Sequence, residues 1–130
     1  MVTINAHIGK DTYKTLLRTS VNELVADEPL SDGGKEEGFS PSELLSSALG
    51  ACTCITLRMY ADRKKFPLDS IDVVVTLEKN PNSETTLMGR EITLHGDLSE
   101  DERSRLLQIA NLCPIHKILS NPVQISTTLK

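Results

Sequence analysis

The chain has 130 residues, enough for one domain that buries most of its unfolded surface but short for an elaborate catalytic site. With no Trp, two Tyr and two Phe, its core must be aliphatic, and the stacking platforms used for bases or sugars are missing. Fourteen Lys+Arg against 18 Asp+Glu leave a net charge of −4 and no basic stripe, so nucleic acid is not expected as a partner.

Three short strands are predicted first, Val2 to Ile8, Tyr13 to Thr19 and Asn22 to Ala26, with Gly9-Lys10-Asp11 as the first turn of a meander. The stretch Asp27 to Gly38 is polar, acidic and glycine-bearing; with nothing to bury it reads as an exposed loop. Ser40-Pro41-Ser42-Glu43 then supplies a capping box with proline at the first helical position. Behind it Leu45, Leu49, Cys52, Ile55 or Thr56, and Met59 recur every three to four residues, the other faces are small, and Arg58 is the first charge after Glu43. A helix from Pro41 to Tyr60 with no polar face must be covered on most sides, which a monomer of this size hardly achieves, so a homodimer is expected.

The pattern next switches to strands at Ser70 to Glu78 and Met88 to Leu98, joined by the polar connection Asn80 to Thr85. Ser99-Glu100-Asp101-Glu102 forms a second capping box and starts a helix carrying Leu106, Leu107, Ile109, Ala110 and Leu112. Pro114 forces residue 113 out of helical geometry, which puts Cys113 at the N-cap of a short helix, Pro114 to Ser120. Pro122 opens a last predicted strand, Val123 to Leu129. The order βββ-α-ββ-αα-β is an α+β pattern with mostly antiparallel pairing, in a single domain spanning residues 1–130.

The segment MVTINAHIGK has no apolar core of signal-peptide length, and no uncharged stretch reaches the roughly 20 residues needed to cross a bilayer. The expected setting is therefore the cytoplasm, with no membrane partner. In a reducing compartment three cysteines read as free thiols rather than a disulfide framework. Cys113 has a physical reason to ionise, because unpaired N–H groups and the positive end of the helix dipole point at an N-cap side chain; His116 and Lys117 lie in the same turn. Cys52 lies among aliphatic residues, where burial raises a thiol's pKa. A two-cysteine redox centre and two inert packing residues are both open on this pattern. Cys54 lies about 200° around the helix from Cys52 and reads as packing. No CxxC or HExxH spacing is present, so Cys52, Cys113 and His116 are not expected to bind a metal, and no cofactor is implied. His7 and His95 read as surface residues.

SPSELL and LGAC between residues 40 and 52, together with CPIHK at 113–117, resemble the OsmC/Ohr family of hydroperoxide-reducing proteins, and the order of elements agrees over residues 25 to 127. The resemblance implies an OsmC-like intertwined homodimer in which antiparallel sheets wrap two central helices, with active sites at the subunit interface. It implies a thiol-dependent peroxidase: Cys52 attacks the O–O bond of an organic hydroperoxide and becomes a sulfenic acid, Cys113 resolves it as a disulfide, and an external dithiol reductant restores both.

Two positions depart from the family pattern, which places an arginine in the first hairpin turn and a glutamate ten residues before the first cysteine. Here the turn carries Lys10, and the tenth residue back is Ser42. Glu43, nine residues back, is half a turn out of phase with Cys52 and reads first as the capping partner of Ser40. Lys10 offers a cation without a guanidinium's planar two-bond grip, and Arg18 is a weaker substitute. Lys10, Glu43 and His116 are thus candidate supporting residues. The rival reading keeps the dimer but treats the cysteines as inert, with a small apolar ligand in the interface cavity.

Overall fold

Period-two strands and capped helices appear in the computed structural model, which describes residues 1–130, largely where the sequence places them. The structure is α+β and its strand pairing is antiparallel within two sheets. The chain divides into two compact units, Met1–Leu45 and Ser46–Lys130.

In the first unit β1 (Asn5–Ile8), β2 (Thr15–Arg18) and β3 (Glu23–Ala26) form a three-stranded meander, with Ala6 opposite Leu17 and Leu16 opposite Val25. The loop that follows is not the wholly exposed segment its composition suggests. Asp27 is only 2% exposed. Its Oδ1 accepts the peptide N–H groups of Tyr13 at 3.1 Å and Glu28 at 2.7 Å, and its Oδ2 those of Lys35 at 3.3 Å and Glu37 at 3.2 Å. The loop is thereby folded around one carboxylate, with a 3-10 turn at Leu30–Asp32. Gly34 packs so closely on the backbone of Glu28 that a Cβ there would overlap the Glu28 carbonyl.

Helix α1 (Pro41–Lys64) starts on the expected capping box: Glu43 N–H donates to Ser40 Oγ at 3.2 Å and Ser40 N–H donates to Glu43 Oε1 at 3.0 Å. It runs four residues past the predicted end at Tyr60. Lys65 adopts a left-handed φ of 60°, and the Lys65 and Phe66 N–H groups cap the carbonyls of Asp62 and Ala61. This is a Schellman stop made without glycine. By length and composition α1 could cross a membrane, yet Leu49, Thr53, Leu57, Tyr60 and Ala61 form a buried stripe along it, as in a core helix.

In the second unit that stripe packs into a core of Leu57, Tyr60, Ala61, Leu68, Leu98, Leu106, Ile109 and Ala110. The hairpin of β4 (Leu68–Lys79) and β5 (Thr86–Gly96) adds Ile71, Ile92 and Leu94 from its inner face. The pairing slips between Leu68 and Ser70, where Gly96 takes a φ of 144° and any Cβ would meet the Pro67 carbonyl. Helix α2 (Glu100–Ala110) begins on a complete Ser99/Glu102 capping box, and α3 (Pro114–Leu119) begins at Cys113.

The predicted last strand is not formed. Residues 121–130 pair with no strand of the chain, so the observed order is βββ-α-ββ-αα. Val123 and Ile125 have strand-forming side chains at alternate positions, but a strand exists only against a sheet edge, and within one chain this segment meets none.

Candidate active site

Two sulfurs from distant parts of the second unit meet. Cys52 comes from the middle of α1 and Cys113 from the N-cap of α3; both are free thiols, the first half-buried and the second fully buried. The Cys52 and Cys113 thiols interact directly, and Cys52 also lies 4.0 Å from Thr56 Oγ1. Cys113 Sγ accepts the His116 peptide N–H at 3.4 Å, and the Ile115 N–H points toward both sulfurs. The turn survives Pro114 because proline at the first helical position lacks an N–H that would have had no partner.

The environment polarises the pair. Burial pushes the Cys52 thiol up, and its hydrogen bond with Cys113 pushes it further, against smaller opposing contributions from Ile115 N–H and Thr56. Burial also acts to raise Cys113, but the bonds from Cys52, His116 N–H and Ile115 N–H, with the positive charge of Arg90, outweigh it and hold that thiol below its ordinary value. Of the two sulfurs, Cys113 is therefore the one whose ionisation the surroundings favour.

Arg90 is the residue that sequence reading missed. It lies on β5 in phase with Met88, Ile92 and Leu94, on the inward face. Its Nη1 donates to Thr53 Oγ1 and to Ala110 O, each at 3.1 Å, and its Nη2 to Asn111 Oδ1 at 3.0 Å. Thr53 Oγ1 in turn donates to Leu49 O at 2.7 Å, so its lone pairs are free to accept. The available signal was the alternation itself: a charge at an inward phase of a strand requires buried acceptors.

The other predicted supporting residues stand apart from the sulfurs in role. His116 reaches Cys113 through its peptide N–H. Glu43 and Lys10 belong to the first unit. The Glu43 carboxylate is held below its usual range first by the Ser40 N–H and then by the Ser40 hydroxyl, and Lys10 is exposed in the turn between β1 and β2. Cys54 is half-buried, its thiol pushed up by burial and then by the Asp72 charge. His95 pairs with Asp72 across the hairpin, Nε2 to Oδ2 at 2.7 Å. His/Cys/Asp/Glu side chains nowhere gather into a metal-ligating group.

Residues 33–128 match the family described as OsmC-like protein, and the chain belongs to that family. Solved structures agree in fold at low sequence identity. An OsmC-like protein from Mycoplasma pneumoniae superposes with a TM-score of 0.79 at 20% identity, covering 92% of this chain and 87% of that one. An organic hydroperoxide resistance protein OsmC from Legionella pneumophila gives 0.65 at 22% identity over 92% and 88% of the two chains. The organic hydroperoxide resistance protein OhrB of Bacillus subtilis gives 0.61 at 20% identity over 91% and 89%. A comparison with curated proteins gives no match.

Proposed function

We propose that this protein is a cytoplasmic thiol-dependent peroxidase that reduces organic hydroperoxides. The observation that carries the reading is the meeting of the half-buried Cys52 with the buried Cys113, two free thiols in unlike surroundings; the names of the Legionella and Bacillus structures point the same way. In the reaction the Cys52 proton passes to Cys113, and the Cys52 thiolate attacks the distal oxygen of ROOH. The O–O bond breaks, Cys52 becomes a sulfenic acid, and the alkoxide leaves as ROH by taking the proton that Cys113 had received. The Cys113 thiolate then displaces hydroxide from the sulfenic acid, which leaves as water with a proton from solvent, and a Cys52–Cys113 disulfide forms. An external dithiol returns two electrons and two protons. Fast resolution by a thiol already in contact protects Cys52 from over-oxidation.

The working form in this reading is a homodimer. Ile55 and Met59, on the side of α1 away from its buried stripe, are 54% and 65% exposed, and Val123 and Ile125 are 61% and 85% exposed. A second copy would cover these apolar positions and give the terminal segment a sheet edge.

The test is a thiol count after adding cumene hydroperoxide to the reduced protein. The unmodified chain is expected to lose two thiols and gain a Cys52–Cys113 crosslink. Cys52→Ser should lose none at this site, and Cys113→Ser should hold a trappable sulfenic acid on Cys52. An unmodified protein that keeps all three thiols is not a peroxidase.

A further inference from the structure

We propose that Arg90 is the positioning residue of the two-sulfur centre, its guanidinium clamping the Cys113 turn to the Cys52 segment of α1 and fixing a positive charge beside the Cys113 sulfur. The inference deepens the peroxidase reading and rests on it for its purpose. Three elements converge on this one side chain. Thr53, the α1 acceptor, directly follows Cys52 in the chain. Ala110 O, the α2 acceptor, also receives the Cys113 N–H at 3.3 Å, so the same carbonyl ties Arg90 to the backbone of the second cysteine. Asn111 Oδ1 holds the other terminal nitrogen and fixes the intervening turn. A planar fork with several fixed donors can join three such acceptors in one orientation; an ammonium, a point charge on a flexible stem, cannot.

The placement is expensive for a strand residue, because the inner face of β5 is otherwise apolar and a cation there gives up solvation. The clamp offsets that penalty with hydrogen bonds and with the negative end of α2, whose terminal Ala110 carbonyl accepts from the guanidinium. The groups facing the Cys113 sulfur are Cys52 from α1 and Arg90 from β5, with peptide N–H groups of Ile115 and His116 from its own helix. Arg90 is thus the fixed cation of the set, and its charge favours the Cys113 thiolate.

The test uses the reduced full-length chain and no hydroperoxide, so it succeeds or fails independently of peroxidase activity. Iodoacetamide labelling is followed cysteine by cysteine by mass spectrometry from pH 5 to pH 10. Arg90→Met is expected to move the Cys113 labelling midpoint up, leave that of Cys54 in place, and retain the unmodified chain's circular dichroism. Arg90→Lys keeps the charge and loses the fork. It should move the midpoint less, yet slow diamide-driven closure of the Cys52–Cys113 disulfide on the order of tenfold. In that closure the two thiols give two electrons and two protons to diamide, which becomes the hydrazine. A Cys113 midpoint unchanged in a folded Arg90→Met overturns the proposal. If Arg90→Met does not fold, disulfide closure at the unmodified rate in Arg90→Lys overturns it instead.

Discussion

Asp27 has all its bonding capacity turned inward, both oxygens filled by peptide N–H groups from a loop and from the start of β2's approach, so its ionisation and the order of that loop are linked. Burial alone would raise the carboxyl's pKa, but the N–H groups of Glu28, Glu37, Tyr13 and Lys35 outweigh it and hold it below the ordinary value of about 3.9. A lowered folded-state pKa contributes stability that is present above the unfolded value and lost as pH falls through the folded one. Asp27→Asn should therefore unfold at lower urea than the unmodified chain near pH 7, and the gap between the two midpoints should close as pH drops below about 4. A gap that stays constant down to pH 2.5 would show that the charge plays no part. Neither the buried Asp27 nor the half-buried, inward-facing Arg90 was legible as such, for one reason: charged side chains sit at the surface by default, and only the distant partners that satisfy them reverse that. Asp27 falls in a run of polar residues and carries no periodic signal. Arg90 carries one, being in phase with Met88 and Ile92, but reads as an interruption until its acceptors on α1 and α2 are known.

At the scale of elements, the sequence was most informative where local chemistry decides the outcome. Both capping boxes formed with both of their bonds, and the Cys113-Pro114 pair placed the start of α3 correctly. These features involve residues three apart and need nothing distant. In α2 the Ser99 hydroxyl accepts the Glu102 N–H at 3.1 Å, while Glu102 Oε1 accepts the Ser99 N–H at 2.9 Å. Ser99→Ala removes one bond of that box and should cost about 1 kcal/mol, seen as a fall of a few degrees in Tm by differential scanning calorimetry. Because α2 supplies Leu106, Ile109 and Ala110 to the core, its fraying should also loosen the Ala110 carbonyl that Arg90 and Cys113 share. The end of α1 was less legible. Its Schellman stop uses Lys65 rather than glycine, and the reward comes from Phe66 reaching the core beside Tyr60, ring centroids 5.8 Å apart.

At the scale of the whole molecule, the nearly uniform apolarity of α1 and the alternation in the C-terminal segment express the same demand. Periodicity identifies which residues want burial but not which surface provides it. Within one chain α1 buries the Leu49–Thr53–Leu57 stripe and leaves Ile55 and Met59 exposed, while Val123 and Ile125 project from a segment with no strand beside it. The predicted strand at Val123 to Leu129 does not form within the chain: the alternation is present, but no strand edge of this chain lies beside it. In the dimer we propose, that edge belongs to the second copy, so pairing of the terminal segment and association are one event. A carboxylate at an inward position would have to be desolvated for the strand to form, which opposes pairing without touching either sulfur. The double substitution Val123→Asp and Ile125→Asp should therefore shift the protein from the mass of two chains to that of one in size-exclusion chromatography with light scattering. Circular dichroism of the helices should change little, because neither residue belongs to the Leu57–Leu106 core. A double variant that keeps the mass of two chains would place the dimer contact elsewhere, and an unmodified protein that runs as a single chain would remove the dimer altogether.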